Sequence, residues 1–424
     1  MVISHHLIHH FRQYESIQTI VQTHQHLSGI SMTSKWYIYL CSHRIIRNLA
    51  IPAHERVFKK AQALLNRGVL IGDFYLAQSL FLQNKLDEAE HHVSRFLHNH
   101  PYHSDGLYLL AEIKTRKNRK EEAFALLKNF LAHSKRGKTW QHLSNLVDNQ
   151  TDFQHFHDLF VQAYPNYNQR PLNYDLACHL TNAAARAKNT EFVLRFWREQ
   201  YRLLRQTPVA KPAKRPVGRR YSDTKAEKAL KDLKHYLNQA QISFFLISGT
   251  LLGCIREGKL LGHDKDIDIG VWETHSVESL ANVIYNSGCF YVLPIYSPDI
   301  LVIRHVNGVT IDIFIHHREA DDYWHAGGKS KWHNSPFELA SRSFLNSEYL
   351  VPADYDLYLT ENYGNWRTPQ LSFDSALDTP NMEIVSHDDF LIYLYKKITF
   401  ALHTGKRPSE RYLSVLREHG EQLD

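Results

Sequence analysis

The chain has 424 residues, 43% of them hydrophobic and 12% aromatic, which suffices for two or three domains with ample cores. Its formal charge of +6 is local, because Lys211, Lys214, Arg215, Arg219 and Arg220 share one short segment and the remainder carries +1. The basic residues are not interleaved with aromatics and no apolar run nears the ~20 residues that cross a bilayer, so nucleic acid is excluded as a partner and membrane contact is at most peripheral.

Residues 1–50 form an N-terminal segment of unclear structure. His5, His6, His9 and His10 have the i, i+4 spacing of a metal pair, but an exposed helix face explains them as well. Laying residues 72–101 over 106–135 reveals a 34-residue period: Leu76-Ala77 falls on Leu110-Ala111, Asn84 on Asn118, Glu88-Ala89 on Glu122-Ala123, and Phe96-Leu97 on Phe130-Leu131. That period marks tetratricopeptide-like helix pairs, and Pro101 closes the first unit. Two units are too few for a stable stack, so degenerate helices in 139–205 and 53–67 are expected to complete an all-α repeat domain over 51–205. Its role is either packing against the region that follows or docking, on its concave face, a partner protein or an acceptor chain.

Residues 206–221, with Pro208, Pro212 and Pro216 among basic residues, read as an extended linker. The region 222–424 opens with a helix capped by Ser222 or Asp223, with Ala229, Leu230, Leu233, Tyr236, Leu237 and Ala240 on one face. An apolar run at 242–247 predicts a buried strand, and Ser248-Gly249-Thr250 supplies a turn where a helix begins, whose backbone N–H groups can hold a phosphate. After Gly253, Arg256 and Gly258 comes Asp264-Lys265-Asp266-Ile267-Asp268, entering a second strand beside the first. Strand alternation puts Asp266 and Asp268 on one face, about 7 Å apart at Cα, with Ile267 and Ile269 on the other.

A third strand over 309–315 carries Asp312 in an apolar run, where a lone acid is costly unless ligated or paired. Asp266, Asp268 and Asp312 are expected to form a carboxylate triad at the edge of a small sheet, calling for a divalent cation, with Mg²⁺ or Mn²⁺ favoured by hard oxygen ligands. A calcium EF-hand is excluded, since Ile269 and His275 stand where glycine and glutamate are required. Arg256, Arg304, Lys329 and Lys331 are candidates to neutralise a pyrophosphate. His316 and His317 follow the third strand, yet among 29 histidines they carry no special claim. A helix over 388–402 is expected to cover the sheet.

Gly249-Thr250-Leu251-Leu252-Gly253, Arg256, Gly258, the Asp-x-Asp-x-Asp run and the later Ile311-Asp312-Ile313-Phe314 resemble the LicD/fukutin family of phosphotransferases. The similarity extends through Tyr358-Leu359 and Tyr363-Gly364-Asn365-Trp366 to Pro369, and covers roughly residues 240–370. It implies a nucleotidyltransferase-like α/β domain with a small mixed sheet, transferring a phospho-alcohol such as phosphocholine, phospho-ribitol or phospho-glycerol from a CDP-activated donor to a hydroxyl of a glycan or lipid-linked glycan. By motif position it implies Asp266, Asp268 and Asp312 as metal ligands, Asp264 beside them, and Ser248, Gly249 and Thr250 at the donor phosphates. His263 stands where the family usually has Trp.

The expected chain is therefore α+β and multi-domain, a helical-repeat domain followed by a metal-dependent phosphotransferase domain. The family context is capsular or lipopolysaccharide assembly at the cytoplasmic face of a bacterial membrane. Four scattered cysteines without a CxxC pair and an N-terminus lacking a signal-type apolar core agree with a cytoplasmic setting. Two other classes fit the acids less well: a nucleotide-sugar glycosyltransferase with an Asp-x-Asp metal site, and a non-catalytic repeat-based assembly factor.

Overall fold

A computed structural model describes residues 32–207, 222–262, 266–294, 297–370 and 372–423. These residues divide into two compact units. One is drawn from the chain up to His142 with the short returns Ile284–Tyr291 and His305–Gly308, the other from Leu143–Val283, Val292–Arg304 and Val309 onward. The histidines at 5–10, the basic run at 211–220 and the His263–Lys265 stretch lie outside the described residues.

The first unit is built from helices α1 (Met32–Leu49), α2 (His54–Leu65), α3 (Ile71–Leu82), α4 (Leu86–Asn99), α5 (Ser104–Arg116) and α6 (Lys120–Leu131). The repeat read from sequence is present as the pairs α3/α4 and α5/α6. Ala77, Ala89, Ala111 and Ala123 are all buried at matched positions, where a larger side chain would hold the helices apart. Asn84 and Asn118 occupy equivalent turns within their pairs, both left-handed at φ 60° and 57°, a conformation asparagine tolerates better than most residues. Glu90 of α4 accepts from Lys117 Nζ at 2.7 Å and from Arg119, and the Arg119 bond is the main reason its carboxyl is pulled down to about 2. The return Ile284–Tyr291 packs on these helices: Arg116 lies 3.8 Å from the Tyr285 ring centroid, Asn84 Nδ2 donates to Asn286 Oδ1 at 2.9 Å, and His54 sits between Ser79 Oγ (2.8 Å) and the Gly288 carbonyl (2.7 Å).

Helix α7 (Gly137–Ser144) is followed by α8 (Gln150–Ala163), α9 (Tyr174–Arg186) and α10 (Thr190–Gln206), which belong to the second unit. Helix α11 (Asp223–Gln239) opens the C-terminal region with Ser222 as its N-cap and Ala226, Ala229, Leu230, Leu233 and Leu237 buried. Strand β1 is only Phe245–Leu246, shorter than the apolar run predicted. One end of that run closes the α11 terminus, where Ile242 N–H donates to the Leu237 carbonyl at 2.8 Å. The other end, Ile247, is already the N-cap of α12 (Ser248–Glu257).

The remaining elements are β2 (Asp266–Trp272), α13 (Val277–Tyr285), β3 (Phe290–Val292), β4 (Ile300–His305), β5 (Thr310–Arg318), β6 (Tyr323–Gly327), β7 (Ser330–Asn334), β8 (Leu339–Phe344), β9 (Ser347–Pro352), α14 (Tyr355–Tyr363), β10 (Met382–Ile384), α15 (His387–His403) and α16 (Glu410–Glu418). The sheet is mixed, in the order β10-β7-β6-β5-β2-β1-β9-β8, with β4 also on β5. Strands β2 and β5 run parallel at its centre, which corrects the expected edge position of the acids: hairpins β6–β7 and β8–β9 extend the sheet on both sides. Ile267, Ile269, Val271, Ile311, Ile313 and Ile315 are buried and share one face. Helix α15 packs along α10 around the buried Trp197, Leu394 and Ile398.

Candidate active site

Parallel pairing of β2 with β5 sets Asp268 directly beside Asp312 and Asp266 beside Thr310, all on the face opposite the isoleucines. The antiparallel β4 adds Val302 beside Asp312 and Arg304 beside Thr310, so Arg304 shares the acid-bearing face, two strands from Asp266. The oxygens of the three acids are not all within 4.8 Å of one another, so strand register places them in one patch without drawing them together.

The electrostatics single out Asp312. Its Oδ1 is buried without a hydrogen-bond partner. Burial first, and the Asp266 charge second, push its carboxyl up to about 7. Three carboxylates with one orphaned oxygen form a hard donor set short of a positive charge, which fits a divalent cation.

The strand-to-helix turn is stitched to this patch. Thr250 Oγ1 accepts from the Asp268 backbone N–H at 2.8 Å and Ile247 N–H donates to the Asp268 carbonyl at 3.4 Å. Ser248 is the first helical residue, with Ile247 as the N-cap, and is left-handed at φ 48°, so the turn is strained where it meets β2. Ser248, Gly249 and Thr250 thus form the first turn of α12, with the unsatisfied N–H groups of a helix start. Gly253 is required by close approach, since a Cβ there would lie 2.7 Å from the Lys259 carbonyl oxygen.

Other sequence candidates fall elsewhere. Arg256 Nη1 donates to the Trp366 carbonyl at 3.1 Å, tying α12 to the Tyr363–Trp366 turn. Trp366 is buried, its Nε1–H directed to Asp356 at 3.2 Å, which agrees with a packing role for that turn. Lys331 lies over the Trp324 ring, and its neighbour Trp332 takes the acid-bearing face, so Lys331 points away from the acids. Lys329 is held over the Tyr393 ring. His317 faces Asp299 at 3.1 Å and stacks on Trp324. Asp264 lies outside the described residues.

His316 is no acid or base near neutrality: it is fully buried and burial pushes it down to about 3. It stacks on His325 at 4.3 Å between ring centroids, and His325 stacks on Trp332 at 5.1 Å. With Phe245 and Trp272 these rings form an aromatic floor continuing the acid-bearing face. Sequence reasoning missed that floor, although the four-residue step from Asp312 to His316 on one strand face signalled it. It also gave no role to Tyr358, whose buried hydroxyl has no hydrogen-bond partner and is pushed up by burial and then by the Asp268 charge.

Residues 241–354 match the family described as LicD/FKTN/FKRP, nucleotidyltransferase domain. The chain is 29% identical over 189 residues to the ribitol-5-phosphate transferase FKTN of Mus musculus, covering 40% of this chain and 39% of that protein. The Homo sapiens protein of the same name is 26% identical over 178 residues, 38% of each chain. An uncharacterized protein of Rickettsia typhi is 27% identical over 148 residues, 32% of this chain and 45% of its own. The chain thus spans about two fifths of the length of the curated relatives it matches, and the Tyr358–Pro369 signature lies beyond the matched residues. The Gly-Thr-Leu-Leu-Gly stretch and the acids on paired strands all lie within residues 241–354, the part of the chain that is similar to the LicD/FKTN/FKRP nucleotidyltransferase domain.

Proposed function

We propose that this chain transfers a phospho-alcohol group of the phospho-ribitol, phospho-glycerol or phosphocholine type from a CDP-activated donor to a glycan hydroxyl. The observation that carries this reading is the buried, unpartnered Asp312 oxygen beside Asp266 and Asp268 on one sheet face, and the names of the FKTN relatives support the class of group transferred.

Asp266, Asp268 and Asp312 would hold Mg²⁺ or Mn²⁺, which when bound supplies charge neutralisation for the donor diphosphate. The first turn of α12, at Ser248, Gly249 and Thr250, orients a donor phosphate through backbone N–H groups, and Arg304 adds a guanidinium on the same face. The acceptor hydroxyl attacks in line and CMP departs. The proton goes to a carboxylate of the set, with Asp264 and Asp312 the candidates. The aromatic floor of Phe245, Trp272, His316 and His325 holds the strands that carry the acids.

We take 222–424 as the transferase region, 206–221 as the linker and 51–205 as a tetratricopeptide-like domain that docks a protein of the same glycan-assembly system. The setting is surface or capsular polysaccharide or lipopolysaccharide synthesis at the cytoplasmic face of a membrane. Among the described residues no helix is long and apolar enough to cross one. The decisive assay is mass spectrometry of the full chain with Mg²⁺ or Mn²⁺, a panel of CDP-alcohols and nucleotide sugars, and a mixture of surface glycans. CMP release with a phospho-alcohol mass on the acceptor, lost in Asp266→Ala, is the expected result. Nucleoside diphosphate release with only a sugar mass added would overturn it in favour of glycosyl transfer.

A further inference from the structure

The outer face of α10 is lined by Arg195, Arg198, Arg202 and Arg205, all exposed. Their spacing of three, four and three residues puts them on one helix stripe about 15 Å long. They open onto a groove of about 1040 Å³, completed by the 167–168 loop, Tyr395 of α15 and the segment 420–423. That volume is at the upper end of ligand sites and leaves room for a chain segment longer than a single small anion.

Charge in the groove is unbalanced. Its lining holds four arginines against two glutamates, Glu199 and Glu421. Arg198 is clamped by Glu421, Nε to Oε2 at 2.8 Å and Nη2 to Oε1 at 2.5 Å. Arg202 is paired with Glu199 at 2.9 and 2.6 Å. Arg205 donates to the Leu423 carbonyl, a neutral acceptor, and among the described residues no carboxylate of the lining is bonded to Arg205 or Arg195. The walls add ring surface from the half-buried Tyr167 and Phe192, which line the groove beside the buried Phe196, Tyr201 and Tyr395.

Guanidinium forks suit phosphate or carboxylate groups, and aromatic rings suit the C–H faces of sugars. A stripe of guanidiniums on an aromatic-walled groove matches an extended chain that carries both. A flat bilayer would need exposed apolar side chains for insertion, and none of the large exposed hydrophobics lies on α10. We propose that this groove binds an anionic saccharide segment of the acceptor, holding a growing charged glycan at a site on the second compact unit apart from the acid patch. This rests on the reading of the acceptor as a glycan.

The test uses the full chain without donor, so it scores binding independently of transfer. Fluorescence anisotropy would follow a labelled oligogalacturonate, a maltooligosaccharide of equal length and a single-stranded oligonucleotide of equal charge. The expected result is salt-sensitive binding of the oligogalacturonate that weakens about tenfold in Arg195→Gln/Arg205→Gln and in Arg202→Gln, and is unchanged in Asp266→Asn. Circular dichroism would confirm that the variants fold. Equal binding of the neutral sugar, equal or tighter binding of the oligonucleotide, no binding, or no loss in the arginine variants would each overturn the proposal. If transfer fails in every assay while this pattern holds, the catalytic reading falls and the groove assignment stands.

Discussion

Asp312 imposes a cost that only a cation or a proton can relieve, because one of its oxygens is buried without a partner and its carboxyl is pushed up to about 7. An acid whose folded value is raised destabilises the fold increasingly as pH rises from its unfolded value to the folded one. Asp312→Asn should therefore raise the melting temperature in chelator at pH 8, with the gain shrinking towards pH 4, while transfer falls more than about 100-fold. Calorimetry and CMP release on the same preparations check both halves. Gly270 makes the opposite case. A Cβ there would come within 2.6 Å of the Phe245 ring and 2.8 Å of His316 Nδ1, so Gly270→Ala should cost about 1–3 kcal/mol. It should also lower turnover, since the displaced strand carries Asp268; equal stability and activity in the variant would refute the packing account. The acids themselves were legible from alternation and cost. The need for glycine at 270 was not, because the rings above it come from strands remote in sequence.

At the scale of elements, β5 joins the acid patch to the aromatic floor. Burial pushes His316 down to about 3 and holds His325 well below its ordinary value. The unfolded chain binds protons at these imidazoles below about pH 6.5 and the folded chain does not, so stability is full above that pH and is lost as pH falls. For His316 the loss at pH 5 should reach about 2 kcal/mol, and His325 adds to it in the same direction. His316→Phe, which keeps the ring and removes the titrating nitrogens, should flatten the melting temperature between pH 7.5 and 5 relative to the parent; an unchanged slope would show that other groups set it. The helix pairs were legible as a period, since a repeat writes the same contacts twice. The packing of Tyr285 and Gly288 onto those pairs was not, because no local pattern says which distant segment a helix surface receives.

For the molecule as a whole, a cation held by the folded acid patch and not by the unfolded chain stabilises by mass action. At a concentration about 100 times its dissociation constant the gain is about 2.7 kcal/mol. Mg²⁺ or Mn²⁺ should raise the thermal transition of the unit that carries the acids by several degrees, and Asp266→Asn or Asp312→Asn should abolish the shift. A shift that persists in both variants would place the binding elsewhere.

The sequence by itself determined the helical repeat, the order of helix, turn and acid-bearing strands, and the acids proposed as a cation site, because side-chain period and the cost of an acid in an apolar run are local properties. Tertiary structure alone decided that Asp268 lies beside Asp312 at the centre of a wide sheet, that His316 is buried while His317 is not, and that four arginines of α10 open on a common groove. Strand register and groove closure depend on contacts between segments far apart in the chain, and no periodicity within one segment records its partner.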